Sequence, residues 1–359
     1  MPEPAAWLPY LQSAYDNRYF TNFGPNEQLL SRRLAERFGG PGAEVVLTSN
    51  ATVALTAALL ALGVRGNVAI PAFTFPATMQ AVIAAGCRPV LLDVDPVTWE
   101  ITPEILADAM TRCTIDAVMP VRVFGLVRDH SGLISLALRH GIPVITDAAA
   151  ALGHVRFELP PDEERYVEVF SLHATKSFAI GEGGAILCSP AVAAKVRRVI
   201  NFGLNEDRSF GDGINAKMSE FQAAVGLAAL DMLDGLLMRR RAMAEHYVSS
   251  LGAVNSLSLP VQTEGCPWSV FPVLLPAGSD VPKLVVRALS AGLQLRRYYH
   301  PSLATGYRGD PRAVTMASPV LPVSERLSEG MICLPVYADA TDAELVYLSG
   351  LISDLFMAA

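Results

Sequence analysis

The chain has 359 residues, a formal net charge of −7 at pH 7 and 51% hydrophobic residues. A chain of this length can bury a large core and exceeds the usual size of one domain. The negative charge argues against a general nucleic-acid or membrane-surface binder, since either would need a basic face. The five cysteines are scattered without any CxxC pair, which is typical of reduced thiols in a cytoplasmic protein and predicts no metal site.

The amino-terminal residues carry no recognisable targeting signal. Residues 1–4 lack the basic start of a signal peptide, and no apolar region follows them directly. The most apolar run, residues 51–62, is well short of the roughly 20 residues that cross a bilayer. We therefore expect a soluble, cytoplasmic protein.

Short apolar runs alternate with helical patterns from about residue 44 to residue 188. Strands that alternate with helices indicate βαβ units, and hence a mostly parallel sheet with helices on both faces. The predicted fold class is α/β, and in such sheets ligands bind at the carboxyl ends of the strands. The strand-like runs are residues 45–47, 68–70, 90–92, 117–119, 144–145, 167–170 and 185–188.

The pattern changes at both ends of the chain. Residues 1–25 are predicted to form an extended arm, which ends in turn residues. We therefore predict an N-terminal arm of residues 1–25, a large domain of residues 26–235 and a smaller α+β domain of residues 236–359. The elements predicted after Lys217 are a long helical stretch over 218–250, a strand over 269–275, a helix over 282–291, a strand over 293–299 and a helix over 342–356.

A lysine and an aspartate each follow a strand-like run. Asp147 closes one such run, and Lys176 lies just ahead of the glycine-rich residues 181–184. Pyridoxal phosphate (PLP) enzymes need this pair, because the lysine forms an imine with the cofactor aldehyde and the acid keeps the pyridine nitrogen protonated. Burial would lower the pKa of the lysine, as that chemistry requires. Taken alone, a lysine is usually a solvated surface charge, and Asp147 could instead cap a helix over residues 148–152.

Other strand ends could bind the remaining parts of such a cofactor. Residues 49–52 lie between a predicted strand and a predicted helix, where N–H groups of the helix start and the Thr52 hydroxyl can bind a phosphate. Ser171 can supply a further hydroxyl, and Phe75 could stack on a flat ring. The alternatives are a simple helix cap at residues 49–52 and a core position for Phe75.

These residues, taken as a set, resemble a known family. The chain resembles the DegT/DnrJ/EryC1/StrS family of sugar aminotransferases, which have the fold type I PLP architecture. The resemblance implies a large PLP-binding domain, a smaller C-terminal α+β domain and a homodimer with shared active sites. It covers nearly the whole chain and rests on residues 21–25, 71–78, 93–96, 146–149, 171–176, 181–184, 213–224, 321–327 and 334–336.

By position, the resemblance implies a role for each motif residue. Lys176 is expected to form the Schiff base and to carry the proton, and Asp147 is expected to hold the pyridinium nitrogen. Phe75 would stack on the cofactor ring. The phosphate would be bound by a set of donors: Ala51 through its backbone N–H, Thr52, Ser171 and, from the neighbouring subunit, Asn215.

The resemblance also implies the reaction, which is transfer of an amino group from an amino acid, glutamate in the family, to a nucleotide-linked keto sugar. Residues 296–301, with a doubled arginine and an aromatic pair, look most like members that act on dTDP-linked 6-deoxy keto sugars. The expected substrate-binding residues are Arg297, Tyr298 and Lys217. The resemblance implies no metal.

Four positions depart from the family pattern. Ala150 stands where Gln is usual, Ala51 where Gly is usual, Lys217 where Arg is usual, and Arg122 where His is usual. The intact Lys176 discriminates against the dehydratases of the family, which carry His there. Two alternatives stay open. One is another enzyme activity, either amination of a cyclitol or a different keto sugar or PLP chemistry other than transamination. The other is a PLP-fold binding or regulatory protein without turnover.

Overall fold

The computed structural model describes residues 1–153, 155–252, 254, 256–341, 343–344, 347–348 and 350–352. The helices are α1 (Pro4–Asp16), α2 (Pro25–Phe38), α3 (Ala51–Ala61), α4 (Pro76–Ala84), α5 (Pro103–Arg112), α6 (Ser131–Arg139), α7 (Pro190–Val199), α8 (Glu220–Asp231), α9 (Leu233–Leu251), α10 (Val281–Ser290), α11 (Leu303–Gly306) and α12 (Pro322–Gly330). The strands are β1 (Glu44–Thr48), β2 (Asn67–Pro71), β3 (Arg88–Leu92), β4 (Ala117–Val118), β5 (Val144–Asp147), β6 (Tyr166–Ser171), β7 (Gly184–Cys188), β8 (Val270–Leu274), β9 (Thr315–Met316) and β10 (Met331–Pro335).

Most of the strands form one mixed sheet. Within the described residues this sheet has eight strands in the order β1-β7-β6-β5-β4-β2-β3-β9. The strands from β6 to β9 in that order run parallel, whereas β7 runs antiparallel to both β6 and β1. The central strands β5 and β6 are buried along their whole length, as expected when helices cover both faces. The predicted mostly parallel sheet is confirmed.

Each face of the sheet carries its own apolar core, because successive residues of a strand point to opposite faces. On one face Val46 and Ile186 pack in a core with side chains of α3, α4 and α7, such as Leu55 of α3. On the other face Leu47 and Leu187 pack in a core with α2 and α8. The sheet is therefore the middle layer between two layers of helices.

The chain after α8 builds a further core around β8 and β10, which pair antiparallel. Tyr247 of α9, Phe271 of β8, Leu284 of α10 and Ile332 of β10 belong to this core. The predicted strand 269–275 and helix 282–291 correspond to β8 and α10. We retain the division between residues 235 and 236, in the first turn of α9, as a proposal.

The C-terminal part returns to the large sheet at two places. β9 pairs with β3 at the sheet edge. The carboxylate of Asp93, just after β3, accepts hydrogen bonds from the N–H of Val323 (3.0 Å) and from the N–H and the hydroxyl of Ser324 (2.7 Å each). These N–H groups belong to the first turn of α12, where the helix dipole favours an anion. Asp93 therefore caps a helix that is more than 200 residues away along the sequence.

The extended arm predicted for residues 1–25 is wrong over Pro4–Asp16, which form α1. This helix lies near α8, where the Tyr10 hydroxyl donates to Oδ2 of Asp231 at 2.7 Å. The carbonyl of Tyr10 also accepts from the side-chain amide of Asn26 at 2.9 Å. Tertiary contacts of this kind stabilise a short helix that local sequence signals do not predict.

The strand predicted over residues 293–299 is also wrong. Arg296 forms an isolated bridge with Cys333, and the chain then turns, with the N–H of His300 bonded to the carbonyl of Arg297 at 3.0 Å. The turn ends the pairing before a ladder can form. The helix predicted over residues 342–356 lies largely outside the described residues.

No single helix in the described part of the chain has both the length and the apolar composition of a membrane span. The adjacent helices α8 and α9 pass that test only as a pair, with a bend of 64° between them.

Candidate active site

Several strand ends meet at one edge of the large sheet. β1 ends at Thr48, β5 at Asp147 and β6 at Ser171, and Gly184 begins β7 opposite both Thr48 and Ser171. A Cβ atom on Gly184 would lie 2.4 Å from Oγ1 of Thr48 and 2.6 Å from the carbonyl oxygen of Asn50. The absence of a side chain at Gly184 therefore lets the turn after β1 pack against β7. The predicted cofactor residues on these segments share this edge.

Asp147 is buried, with 5% of its surface exposed. Its Oδ2 accepts a hydrogen bond from the Thr78 hydroxyl (2.7 Å), and its Oδ1 accepts one from the N–H of Ala149 (3.1 Å). Burial raises the pKa of the Asp147 carboxyl, whereas these two bonds and the charge of Lys176 lower it. Residues 148–152 form a turn and irregular chain, so Asp147 does not cap a helix there. Its carboxylate retains lone pairs for another N–H donor.

Lys176 lies in the connection between the antiparallel strands β6 and β7. Its N–H donates to the carbonyl of His173 at 2.9 Å. The neighbouring Ser177 hydroxyl donates to the carbonyl of Leu152 at 2.8 Å, which ties this connection to the segment after Asp147. Burial lowers the pKa of the Lys176 amine, and the charge of Asp147 opposes that shift. The structure thus brings together the lysine and the acid that the sequence paired.

The start of α3 offers donors for an anion. Asn50 is the N-cap residue, and its Oδ1 accepts from the N–H of Val53 at 3.0 Å. The N–H groups of Ala51 and Thr52 come before the first helical hydrogen bond and lie at the positive end of the helix. Ser171 is buried at the end of β6, and its hydroxyl oxygen accepts a hydrogen bond from the N–H of His173 at 3.2 Å. Asn50 therefore caps the N–H of Val53 and leaves the N–H groups of Ala51 and Thr52 for a phosphate, so the helix cap and the phosphate site are compatible.

Phe75 lies immediately before α4, and 53% of its surface is exposed. Its ring makes edge contacts with Tyr298 (centroids 6.3 Å apart) and Tyr299 (6.4 Å). Tyr299 stacks on Phe124 at 5.2 Å and meets Phe73 edge-on at 5.3 Å. The exposure of Phe75 excludes a simple core role. Tyr299 was not predicted as a site residue, and the doubled tyrosine was the one signal for it in the sequence.

Arg297 precedes this aromatic pair and is partly buried. Its Nη2 donates to the carbonyl of Glu329 at 3.2 Å, and burial lowers the pKa of its guanidinium. Its Nε is buried and has no hydrogen-bond partner among the described residues. Tyr298 contacts Phe75 and so lies beside the strand-end residues, and Arg297 is its neighbour along the chain.

Asn215 and Lys217 lie next to the turn after β1. The N–H of Ser49 donates to the carbonyl of Ala216 at 2.8 Å. Nζ of Lys217 donates to Oδ1 of Asn215 at 2.9 Å and lies 4.5 Å from the centroid of the Phe202 ring. Asn215 is exposed, as is Phe202. The two polar residues are therefore near the start of α3 and at the surface.

The structure explains one departure from the family pattern. Arg122 is buried and its guanidinium binds the carboxylate of Glu168 on β6 (Nη2 to Oε1, 2.7 Å), which also accepts from the Tyr166 hydroxyl at 2.5 Å. A buried arginine needs such a partner, because an unpaired charge is costly in the interior. The backbone of Ala150 packs closely against Gly125, since a Cβ atom on Gly125 would lie 2.3 Å from the Ala150 carbonyl oxygen. The small side chain at position 150 supplies no polar group to the site.

Comparison with known proteins identifies the family. The model of the DegT/DnrJ/EryC1/StrS aminotransferase family matches residues 5–352. The chain belongs to this family. It is a PLP-dependent aminotransferase with the type I fold.

Relatives and solved structures agree over nearly the full length. The chain is 32% identical over 365 aligned residues to the dTDP-4-amino-4,6-dideoxy-D-glucose transaminase of Shigella dysenteriae, covering 99% of this chain and 97% of that protein. It is 30% identical to the Escherichia coli protein of the same name, with 98% and 96% covered. The crystal structure of DesI, determined in the presence of its TDP-sugar product, superposes with a TM-score of 0.87 at 29% identity, covering 99% of this chain and 91% of DesI.

Proposed function

We propose that this aminotransferase moves an amino group from L-glutamate to a nucleotide-linked keto sugar, namely a dTDP-linked keto-6-deoxyhexose. The observation that carries the proposal is the buried Asp147 beside Lys176, next to free N–H groups at the start of α3. The names of the Shigella and Escherichia relatives support the acceptor class. The guanidinium of Arg297, whose neighbour Tyr298 contacts Phe75, suits an anionic diphosphate.

The residues of the edge suit PLP in each of its parts. Bound PLP supplies a protonated ring that withdraws electrons from the carbon losing a proton. We assign Asp147 as the partner of the ring nitrogen, because its carboxylate retains lone pairs. The phosphate ligands on this assignment are the N–H of Ala51 and the groups of Thr52 and Ser171. Phe75, half exposed beside the same edge, covers one face of the ring.

Lys176 has two tasks on this assignment. It would hold the cofactor aldehyde through Nζ, and its neutral amine would move the proton at the substrate carbon. Burial supports both tasks, since a lowered pKa leaves more of the Lys176 amine neutral near pH 7. The charge of Asp147 opposes this shift of the Lys176 pKa.

The acceptor binds on the outer side of the site. We assign Arg297 and Lys217 to its charged groups and Tyr298 to its sugar or base. The buried, unpartnered Nε of Arg297 supports this role, because a bound anion would complete its hydrogen bonding.

A homodimer is part of the proposal, with Asn215 acting on the phosphate of the partner's site. Asn215 is exposed beside Phe202, Leu204 and Phe210, which expose 51%, 41% and 78% of their surfaces. Clustered exposed apolar side chains favour an interface. Mixing two inactive variants, Asn215→Ala and Lys176→Ala, tests the idea: activity is regained if sites are shared, and the mixture stays inactive if each chain works alone.

The function is tested by incubating the purified protein with PLP, L-glutamate and a panel of keto nucleotide sugars and keto cyclitols. We expect one dTDP-linked keto-6-deoxyhexose to be converted to an amino sugar, identified by mass spectrometry and NMR. Reduction of the enzyme with borohydride should attach the cofactor to Lys176, as mapped by peptide mass spectrometry. Labelling elsewhere would refute the assignment of Lys176, and product from a cyclitol alone would refute the acceptor.

A further inference from the structure

Two buried threonines lie behind the Asp147 carboxylate. Thr74 precedes α4 and Thr78 lies in its first turn, and they expose 1% and 0% of their surfaces. The Thr78 hydroxyl is 2.7 Å from Oδ2 of Asp147, and the Thr74 hydroxyl is 3.0 Å from that of Thr78. The three groups form a continuous chain of hydrogen bonds that ends at the candidate partner of the ring nitrogen.

The direction of this chain follows from the chemistry of its members. An ionised carboxylate only accepts hydrogen bonds, so Thr78 must donate its single hydroxyl proton to Asp147. Thr78 can then only accept from Thr74, which donates in turn. Bonds in series polarise one another in a medium of low dielectric constant, and a bond to an ionised group is stronger than a neutral one. The order Thr74 to Thr78 to Asp147 therefore favours the charged carboxylate.

The charged form of Asp147 needs such support. Burial raises the pKa of its carboxyl, and the groups that oppose this shift are Thr78, the N–H of Ala149 and Lys176. The Tyr299 phenol, packed against the site from the C-terminal part, interacts electrostatically with Asp147, and its oxygen accepts from the backbone N–H of Phe124. Thr78 is thus the one side-chain hydroxyl, among the described residues, with a hydrogen bond to the Asp147 carboxylate.

The same bonds fix the orientation of the carboxylate. Thr78 holds Oδ2 and the N–H of Ala149 holds Oδ1 at 3.1 Å, so rotation of the carboxylate would break both bonds. Phe75 is the residue immediately before α4, and the N–H of Thr78 bonds to its carbonyl at 3.2 Å. One helical turn therefore positions both the aromatic ring assigned to the face of the cofactor and the hydroxyl that holds its acidic partner.

We propose that Thr78, supported by Thr74, is a positioning residue that keeps Asp147 ionised and aligned for the ring nitrogen of PLP. The proposal rests on the proposed role of Asp147 but not on the identity of the amino acceptor. Thr74 and Thr78 then have a role beyond packing, because valine has the same shape as threonine and would pack equally well.

The test compares Thr78→Val, which removes the hydroxyl and keeps the shape, with Thr78→Ser, which keeps the hydroxyl. Thr56→Val is the matched control, because Thr56 is buried between α3 and α4 and bonds only to the carbonyls of Thr52 (3.2 Å) and Ala81 (3.3 Å). The measurements are the dissociation constant of PLP from each apoenzyme and the pH at which the ring nitrogen loses its proton, followed by nitrogen-15 NMR with labelled PLP.

We expect Thr78→Val to weaken PLP binding about tenfold or more, as for loss of a bond to a charged group. The ring nitrogen should lose its proton at a lower pH, because a carboxylate that is free to rotate, or that takes up a proton itself, stabilises the protonated ring less. Thr74→Val should shift both quantities in the same direction by less, and Thr78→Ser and Thr56→Val should match the wild type.

Wild-type values in Thr78→Val, or an equal loss in Thr78→Ser, would overturn the proposal. Asp147→Asn serves as the reference for complete loss of the carboxylate, and normal values there would instead refute the role of Asp147. Neither measurement uses an amino acceptor, so an error in the proposed sugar substrate would leave both results unchanged. The failure of this inference and that of the proposed reaction are therefore distinguishable.

Discussion

The inner and outer parts of the site are built in different ways. The inner part, defined by Asp147, Ser171 and the start of α3, consists of strand ends whose polar groups are held by backbone donors and buried hydroxyls. The outer part, defined by Arg297, Tyr298 and Lys217, consists of half-buried side chains outside the named helices and strands.

This difference separates two requirements of one enzyme. The inner part is rigid because the sheet fixes its backbone, and it suits the cofactor, which is the same in every turnover. Arg297 and Tyr298 of the outer part reach this edge only when the C-terminal part packs against the large sheet, whereas Lys217 lies beside the turn after β1. On the proposed function, the outer part suits the amino acceptor. Changes in the inner part should therefore remove catalysis, whereas changes in the outer part should alter the choice and affinity of the acceptor.

The largest effect is expected from Lys176→Ala. Loss of the amine that moves the proton should reduce the rate of transamination by at least about 10³-fold. The rate is followed through the absorbance change of the bound cofactor on adding glutamate. Lys195→Ala is the control, since Lys195 is a half-exposed lysine on α7 that pairs with Glu164 at 3.6 Å. Turnover in Lys176→Ala as rapid as in Lys195→Ala would show that Lys176 contributes no more to catalysis than a surface lysine.

The ion pair beneath the inner part provides the next test. Arg122→Met leaves the Glu168 carboxylate buried without its cation, and we expect the free energy of unfolding to fall by about 3–5 kcal/mol. Urea denaturation measures this loss. The double variant Arg122→Met with Glu168→Met should be more stable than the single variant, because no unpaired charge remains. Equal destabilisation in both would show that the shape of Arg122, and not its charge, supports the strand ends.

Glu27 gives a pH-dependent effect on the layer that supports the inner part. It is buried in the first turn of α2, and burial, with the nearby Glu220 carboxylate, raises its pKa from 4.5 to about 7, although Arg197 and the backbone of Leu47 oppose the shift. A raised pKa means that the folded protein loses stability as the pH rises from 4.5 through 7, by roughly 3 kcal/mol.

Glu27→Gln should abolish this loss, so the variant should exceed the wild type in unfolding free energy at pH 8 and approach it near pH 4.5. Urea titrations at several pH values measure the difference between the two proteins. A difference that does not change with pH would contradict the raised pKa of Glu27.

The smallest effect is expected in the outer part. Arg297→Ala should raise the KM for the sugar acceptor about tenfold, the loss expected for one hydrogen bond to a charged group. The half-reaction with glutamate and the affinity for PLP should stay unchanged, which single-turnover absorbance experiments would check. Arg296→Ala is the control, because the adjacent side chain is exposed. Weaker PLP binding in Arg297→Ala would mean that the two parts of the site are not separate.

The sequence predicted where the residues of the inner part lie, and the roles assigned to them remain predictions. Strand ends in a parallel sheet share one edge, so the positions of Asp147 and Ser171 follow from periodicity alone, and the resemblance to the family supplied their roles. Thr78 had no distinguishing local signal and Tyr299 had only the doubled tyrosine, because their contacts with Asp147 and Phe124 form only in the folded chain. The same reason explains the missed helix α1 and the missing strand at residues 293–299, both of which depend on tertiary contacts.

The pairing of β9 with β3 has a consequence for any attempt to divide this protein. A fragment that stops at residue 235 would leave the outer edge of β3 without its neighbour and the carboxylate of Asp93 without the helix that it caps. An uncovered edge strand is a template for self-association. The first two-thirds of the polypeptide, expressed alone, would therefore aggregate before it could serve as a minimal cofactor-binding unit.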